Sequence, residues 1–327
     1  MKLKPILFLC FAISFILPTL AAGPGKPVEK KQRFVAVTFD DLPSPEKLEV
    51  QPLETLTRRL LKTFTDHEIP VVGFVNEGKL EVENEKAART RVLKLWTDAG
   101  FELGNHTYSH PYFFKKPLAE FEENVLKGEP VTRKLLAEKG MTLRYFRHPF
   151  LSTGLDTATK TAFEKFLAER GYTVAPVTID NSDWLFAGVY ADAQKRGDTE
   201  TMRRVAEAYV PYLERVFEFH EKLSREVVGY EVRQILLLHA NLLNADHFGK
   251  VVEMMKRRGY KFISLEEALQ DKAYQLPDTY IGANGISWLQ RWAITRGGKY
   301  REEPTLPKFV SEKWAWIAEE KLKQEKR

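Results

Sequence analysis

Apolar positions along this chain alternate between two rhythms. Residues 33–39 (Arg33, Phe34, Val35, Ala36, Val37, Thr38, Phe39) form a short run, almost wholly apolar and followed by acidic residues, which predicts a buried strand. Leu53, Leu56, Leu60 and Phe64 follow at helical spacing, and Ile69 to Val75 is the next strand candidate. A further pattern recurs four times: a helical segment ends in glycine and an extended apolar segment comes next. Gly100 precedes Phe101 to Leu103, Gly140 precedes Met141 to Leu143, Gly171 precedes Tyr172 to Val174, and Gly259 precedes Tyr260 to Phe262. A glycine just past a helix takes the left-handed conformation without a Cβ clash, so each joint stops a helix and releases a strand. Repeated joints of this kind imply βα units, an α/β fold and a largely parallel sheet.

Two segments depart from the rhythm. Residues 198–228 read as one long charged helix, with Val205, Ala208, Tyr209, Tyr212, Val216 and Phe219 on its apolar face. From Tyr274 onward the chain is rich in tryptophan (Trp288, Trp292, Trp314, Trp316) and ends in a charged amphipathic helix over 313–327. A packed helical cap is the expected use of these tryptophans, ahead of a sugar-stacking surface.

At the other end, Lys2 and Lys4 precede an apolar run from Ile6 to Leu20, and Ala21, Ala22 and Gly23 supply small residues for cleavage. This layout predicts a secretory signal peptide over 1–22 and a linker over 23–32. Pro18 interrupts the run, which argues against a retained span of about 20 clean apolar residues. Cys10, the sole cysteine, lies inside the run without the small residues of a lipoprotein site. The exported chain is therefore expected to fold without disulfides and to keep no stable membrane span, in a periplasm or beyond it. Its 327 residues suffice for a large core. The net charge of +5 falls to +3 without Lys2 and Lys4, and no basic stripe with interleaved aromatics occurs, so nucleic acid is not an expected partner.

The candidate chemistry lies at or near the C-terminal ends of the predicted strands, where parallel α/β barrels gather their active sites. Asp40 and Asp41 end the first strand; alone, such a pair is as often a turn or a helix cap. His106 and His110, four apart, would grip one metal ion from one face of a helical turn. Asp41, His106 and His110 then make a two-histidine, one-carboxylate set, which suits zinc in hydrolysis, though iron oxygenases also use it. Asp40 remains beside the metal to take a proton. Arg147 ends another strand and would keep a catalytic carboxylate oriented and ionised. Asp183 is a candidate partner for Arg147, and Trp184 a candidate pocket wall. His239 closes an apolar strand; such a histidine is most often a core residue, but aimed at a metal it becomes a general acid.

In order and spacing, the set TFDD, HTYSH, RHPF, DNSDW and LLLH resembles the five motifs of the polysaccharide deacetylase family, also called carbohydrate esterase family four or the NodB-homology domain. The resemblance covers about Phe34 to Leu265 and implies a distorted, seven-stranded (β/α) barrel. A catalytic barrel over 33–270 and a helical extension over 271–327 are expected. By position the resemblance implies that Asp40 is the general base and that Asp41, His106 and His110 hold a divalent metal, zinc by expectation. It further implies that Arg147 orients Asp40, with Asp183 tuning that pair, and that His239 is the general acid. Leu237 and Trp184 would line an acetyl pocket, and the Phe150 N–H would help hold an oxyanion. The implied reaction is metal-dependent removal of acetyl groups from an N-acetylated glycan. The alternatives are an O-acetyl esterase on xylan-like polymers, a non-catalytic carbohydrate-binding protein, and an amidase on a small cyclic amide. The chain departs from the family pattern at Leu42-Pro43 and at Leu151, where glycine is usual, and at His148. Asn105-His106-Thr107 matches a glycosylation acceptor, read as coincidence because a glycan there would sit on a proposed ligand.

Overall fold

The computed structural model describes residues 32–325. The expected signal peptide, and all of the expected linker except Gln32, lie outside the described residues. In chain order the elements are β1 (Arg33–Leu42), α1 (Val50–Asp66), β2 (Val71–Val75), α2 (Lys86–Asp98), β3 (Glu102–Asn105), α3 (Leu118–Lys127) and α4 (Pro130–Ala137). There follow β4 (Tyr145–Phe146), α5 (Thr157–Glu169), β5 (Thr173–Val174), α6 (Asp183–Arg196), α7 (Thr199–Val228), β6 (Gln234–His239) and α8 (Leu242–Arg257). The last are β7 (Tyr260–Phe262), α9 (Leu265–Leu269), α10 (Trp288–Thr295) and α11 (Lys308–Glu325). The four expected joints are present: Gly100, Gly140, Gly171 and Gly259 all have φ between +69° and +86°. After Gly140 the expected segment Met141–Leu143 is not a strand, and β4 begins at Tyr145; β3 and β5 each begin one residue past the expected start.

All seven strands pair in parallel, in the order β5-β4-β3-β2-β1-β6, with β7 bonded to the first residues of β1. The ring closes through the segment that follows β5. That segment leaves β4 at Ala175, whose N–H bonds the Phe146 carbonyl, and by Ile179 it bridges to Leu236 of β6. The result is the distorted (β/α) barrel the sequence led us to expect.

Strand alternation sorts the side chains. On β1, Val35, Val37 and Phe39 join the large core under the helices, whereas Ala36, Thr38 and Asp40 occupy the opposite set of positions. On β6, Leu236 and Leu238 join the large core, and Ile235, Leu237 and His239 alternate with them. α1 contributes Leu53, Leu56, Leu60 and Phe64, all fully or nearly fully buried. Burying each such side chain contributes about 1.5–3 kcal/mol relative to leaving it in water. The long helix α7 starts at an Asp198 cap that accepts from the Thr201 N–H and buries Val205, Tyr209, Tyr212 and Val216 as expected. Ala208 and Phe219 are only partly buried.

The C-terminal extension is tied into the barrel. The Trp288 N–H bonds the Val177 carbonyl at 2.7 Å, and Ser287 Oγ donates to the Thr178 carbonyl at 2.8 Å. Trp288 and Trp292 are buried, as a packed cap requires, while Trp316 is exposed. Among the described residues no helix is long and apolar enough to cross a membrane.

Candidate metal centre and catalytic groove

Simple alternation would send Asp40 and Asp41 to opposite faces of β1. Asp41 instead has φ +69°, and the β1–β2 register shifts between Phe39 and Leu42. This bulge re-aims the second carboxylate so that both acids line the same groove. The expected helical turn at His106–His110 is not formed. His106 follows the last residue of β3, and the chain then bends, with Thr107 at φ +67° and His110 at +54°. The Asn105 side chain accepts from the Thr107 N–H, and Thr107 Oγ1 accepts from the His110 N–H, which fixes the bend. The two imidazole rings nonetheless end 4.8 Å apart, centre to centre.

Ligand atoms of Asp41, His106 and His110 all lie within 4.8 Å of one another, a possible metal site. The donor chemistry fits a cation. His106 Nδ1 is 2.8 Å from the Arg147 carbonyl, so that nitrogen carries the proton and Nε2 keeps its lone pair. Burial lowers the pKa of both histidines, His106 well below the usual value, and neutral imidazoles are the form that ligates. Buried Asp41 Oδ1 receives no hydrogen bond of good geometry, although Lys79 Nζ lies 2.9 Å from it. Burial would raise the Asp41 pKa, but Lys79 and His110 hold it well below the carboxylate range.

Asp40 and His239 are direct register partners on β1 and β6, so they face the groove side by side. Arg147, fully buried just past β4, reaches Asp40 only loosely, with Nη1 at 3.3 and 3.4 Å from its oxygens, and donates to Thr38 Oγ1 at 3.0 Å. Burial therefore pushes the Asp40 carboxyl up to about 6, against the pull of Arg147 and His239. The expected Asp183–Arg147 pair is absent. Asp183, the first residue of α6, sits instead against His239, with Oδ1 2.7 Å from Nδ1 and Oδ2 accepting from the His239 N–H at 2.9 Å. Asn241 and Asn244 also donate to Oδ2, so this carboxylate is fully bonded. Burial alone would lower the His239 pKa; Asp183 outweighs it and holds the ring up at about 9.

Asp40, Asp41, His106, His110 and His239 line a groove of about 1390 Å³, with Arg147 and Asp183 buried behind them. Leu237 is on its floor and Phe150 on its rim, the Phe150 ring stacked on Tyr112 at 3.7 Å. Trp184 is half-exposed on one wall and meets Trp314 of α11 edge-on at 5.3 Å. Trp314 lies on Gly188, where an added Cβ would come within 2.2 Å of its ring.

Residues 28–174, a little under half of the chain, match the profile of the family described as "Polysaccharide deacetylase". Over that stretch the chain is similar to that family. A peptidoglycan-N-acetylglucosamine deacetylase from Bacillus cereus is 28% identical over 174 residues, which are 52% of this chain and 51% of that one. This chain thus spans about half the length of that relative. A chitooligosaccharide deacetylase from Sinorhizobium fredii is 24% identical over 52% of this chain and 66% of its own. Among solved structures, that of a CE4 family pseudoenzyme from Bacillus anthracis is 18% identical, covering 74% of this chain and 66% of its own, with a TM-score of 0.46.

The family match ends before the segments bearing Asp183, Trp184, Leu237 and His239, yet the fold brings Trp184, Leu237 and His239 to the same groove and sets buried Asp183 against His239. The departures from the family pattern fall around it. Leu151, in the place of a usual glycine, has φ +51°, next to Phe150 at +55°. His148 is buried, and burial drops its pKa to about 3. Asn105 is fully buried, its amide donating to the Val125 carbonyl and to Tyr172, so the acceptor motif offers no surface for a glycan. Sequence reasoning missed Lys79, Asn241, Asn244 and the groove position of Trp314.

Proposed function

We propose that the chain removes acetyl groups from the N-acetylated amino sugars of a glycan, releasing acetate. The observation that carries this reading is the pair Asp40 and His239, adjacent in register, with pKa values pushed to about 6 and about 9, beside the Asp41–His106–His110 set. Two titratable groups displaced in this way can divide base and acid roles. The names of the relatives, which act on N-acetylglucosamine in peptidoglycan or on chitooligosaccharides, agree with such a substrate.

Asp41, His106 and His110 would hold the cation, with zinc the best fit to two imidazoles and a carboxylate. The cation would supply Lewis acidity toward the attacking water and the acetyl carbonyl. Asp40 takes the proton at a carboxylate oxygen, with the Arg147 guanidinium behind it. The Phe150 N–H stabilises the oxyanion; one donor of this kind is typically worth about 10²–10³ in kcat. His239 delivers its proton from Nε2 to the leaving nitrogen while Asp183 holds Nδ1. Leu237 excludes water around the methyl group, and Trp184 with Trp314 offers apolar ring surface to the sugar. We assign residues 33–270 to the catalytic barrel and 271–327 to its extension, and we take residues 1–22 as an export signal.

The test is acetate release from peptidoglycan, chitin oligomers and acetylated xylan, each with and without a chelator. Chelator-sensitive release from an amino-sugar polymer is expected; release from xylan alone would make the chain an O-acetyl esterase. Asp40→Asn should retain zinc and lose about 10²–10⁴ in turnover, the range for a general base. Near-normal turnover by that variant would remove Asp40 from the mechanism.

A further inference from the structure

We propose that Arg291, in α10 of the C-terminal extension, is a positioning residue that holds the loop His148–Gly154 in the conformation that presents the Phe150 N–H. The inference rests on the deacetylase reading for what the loop does, but not for how it is held.

The loop needs holding. Phe150 and Leu151 lie consecutively in the left-handed region, at φ +55° and +51°. Residues with a Cβ stay there only when their surroundings over-determine the backbone. The loop's own turn supplies two hydrogen bonds, from the Leu151 N–H to the His148 carbonyl and from the Ser152 N–H to the Pro149 carbonyl, both 3.1 Å. Neither uses the Phe150 N–H. Leu151 also stands where the family usually has glycine, the one residue for which this backbone carries no steric penalty.

The Phe150 ring also stacks on Tyr112, and further restraint comes from the extension. Arg291 is fully buried and every arm of its guanidinium is bonded. Nη2 donates to the Leu151 carbonyl, Nη1 to Thr153 Oγ1 and Asp278 Oδ2, both at 3.0 Å, and Nε to the Ile286 carbonyl at 3.1 Å. Asp278 balances the charge and is itself clamped by Lys160 at 2.9 Å. The flat, rigid fork thus joins two points of the loop to two points of the extension, a geometry lysine cannot reproduce. Backbone contact completes the clamp. The Gly282 N–H bonds the Gly154 carbonyl at 3.3 Å, and a Cβ added at Gly285 would fall 1.9 Å from the Phe150 carbonyl oxygen. A segment outside the matched stretch 28–174 therefore braces the loop at the groove rim.

The experiment compares wild type, Arg291→Met, Leu151→Gly and the double variant by steady-state kinetics, zinc affinity and amide hydrogen exchange of residues 148–154. Arg291→Met should lower kcat at least about tenfold, toward the loss of one oxyanion donor, with KM and zinc affinity moving less than about twofold. Exchange at the loop amides should quicken about tenfold or more. Leu151→Gly, which removes the penalty on the left-handed backbone, should restore kcat at least about threefold in the Arg291→Met background, a coupling that independent sites would not show. A merely structural arginine would lower Tm and leave kcat, measured well below Tm, and loop exchange unchanged; that result overturns the proposal. So does a rise in KM at constant kcat, or the absence of recovery by Leu151→Gly. If Arg291→Met does not fold, Arg291→Lys, which keeps the charge beside Asp278 but loses the fork, must show the same split. Should wild type release no acetate from any glycan, the deacetylase reading fails, and loop exchange alone still decides whether Arg291 holds the loop.

Discussion

Asp183→Asn gives a quantitative test of the acid role of His239. In the wild type the Asp183 carboxylate accepts from the ring and from the His239 N–H, and it holds the imidazolium up at about 9. The isosteric amide removes the charge. With the carboxylate gone and burial still acting, the His239 pKa falls to the ordinary value of about 6.5 or lower. At pH 8 the protonated fraction then drops from about 0.9 to about 0.03, a loss of about thirtyfold; at pH 6 it changes by less than about twofold. The ratio of variant to wild-type kcat/KM, taken from pH 5.5 to 9, should therefore fall steeply above pH 6.5, because limits set by other groups cancel in the ratio. The same shift bears on stability. A histidine whose folded pKa lies above its unfolded value stabilises the fold fully below about pH 6.5, and that contribution is lost as the pH rises through about 9. A displacement of about 2.5 pKa units corresponds to about 3 kcal/mol, so the variant should be destabilised at pH 6 and approach the wild type near pH 10. Asn241 and Asn244, which also donate to Asp183, will retain or lose partners equally at every pH, so their effect is a constant offset. A loss of activity that is the same at pH 6 and pH 8, with zinc affinity intact, would refute the view that Asp183 acts by holding the proton on His239.

Two further outcomes are expected. Zinc at about 100 times its Kd should raise unfolding stability of the wild type by about 2.7 kcal/mol; His106→Ala should abolish the corresponding thermal shift, and an undiminished shift would place the cation elsewhere. Gly188→Ala puts a Cβ within 2.2 Å of the Trp314 ring, so the ring must leave its seat, at the typical overpacking penalty of about 1–3 kcal/mol. The KM for chitin oligomers should then rise several-fold with zinc affinity unchanged, and an unaltered KM would remove Trp314 from the substrate wall.

What the sequence disclosed and what it hid divide along one physical line: local periodicity is legible, adjacency between distant segments is not. The apolar runs of β1 and β6 place Asp40 and His239 at strand ends, and the glycine joints mark the βα units. The expectation that Asp183 partners Arg147 rests on opposite charge and on the family resemblance. The choice depends on which strands adjoin. Pro176 and the brief stretch to Ile179 show no strand-length apolar run, yet this segment pairs with β6 and so delivers Asp183 to His239. Spacing likewise brought His106 and His110 together but suggested a helical turn, since nothing in residue type announces left-handed backbone at Thr107 and His110. The tryptophans of the extension looked alike in sequence. Trp288 and Trp292 pack as a cap, whereas Trp314 meets Trp184 in the groove, because Gly188 on a different helix leaves room for its ring. Arg291 was the least legible of all. Burial of an arginine is invisible to hydrophobic pattern, and two of its acceptors are the main-chain carbonyls of Leu151 and Ile286, which every residue possesses. A side chain whose partners are backbone atoms leaves no complementary residue type elsewhere in the chain, so its role becomes readable only once the fold shows which carbonyls are left facing it.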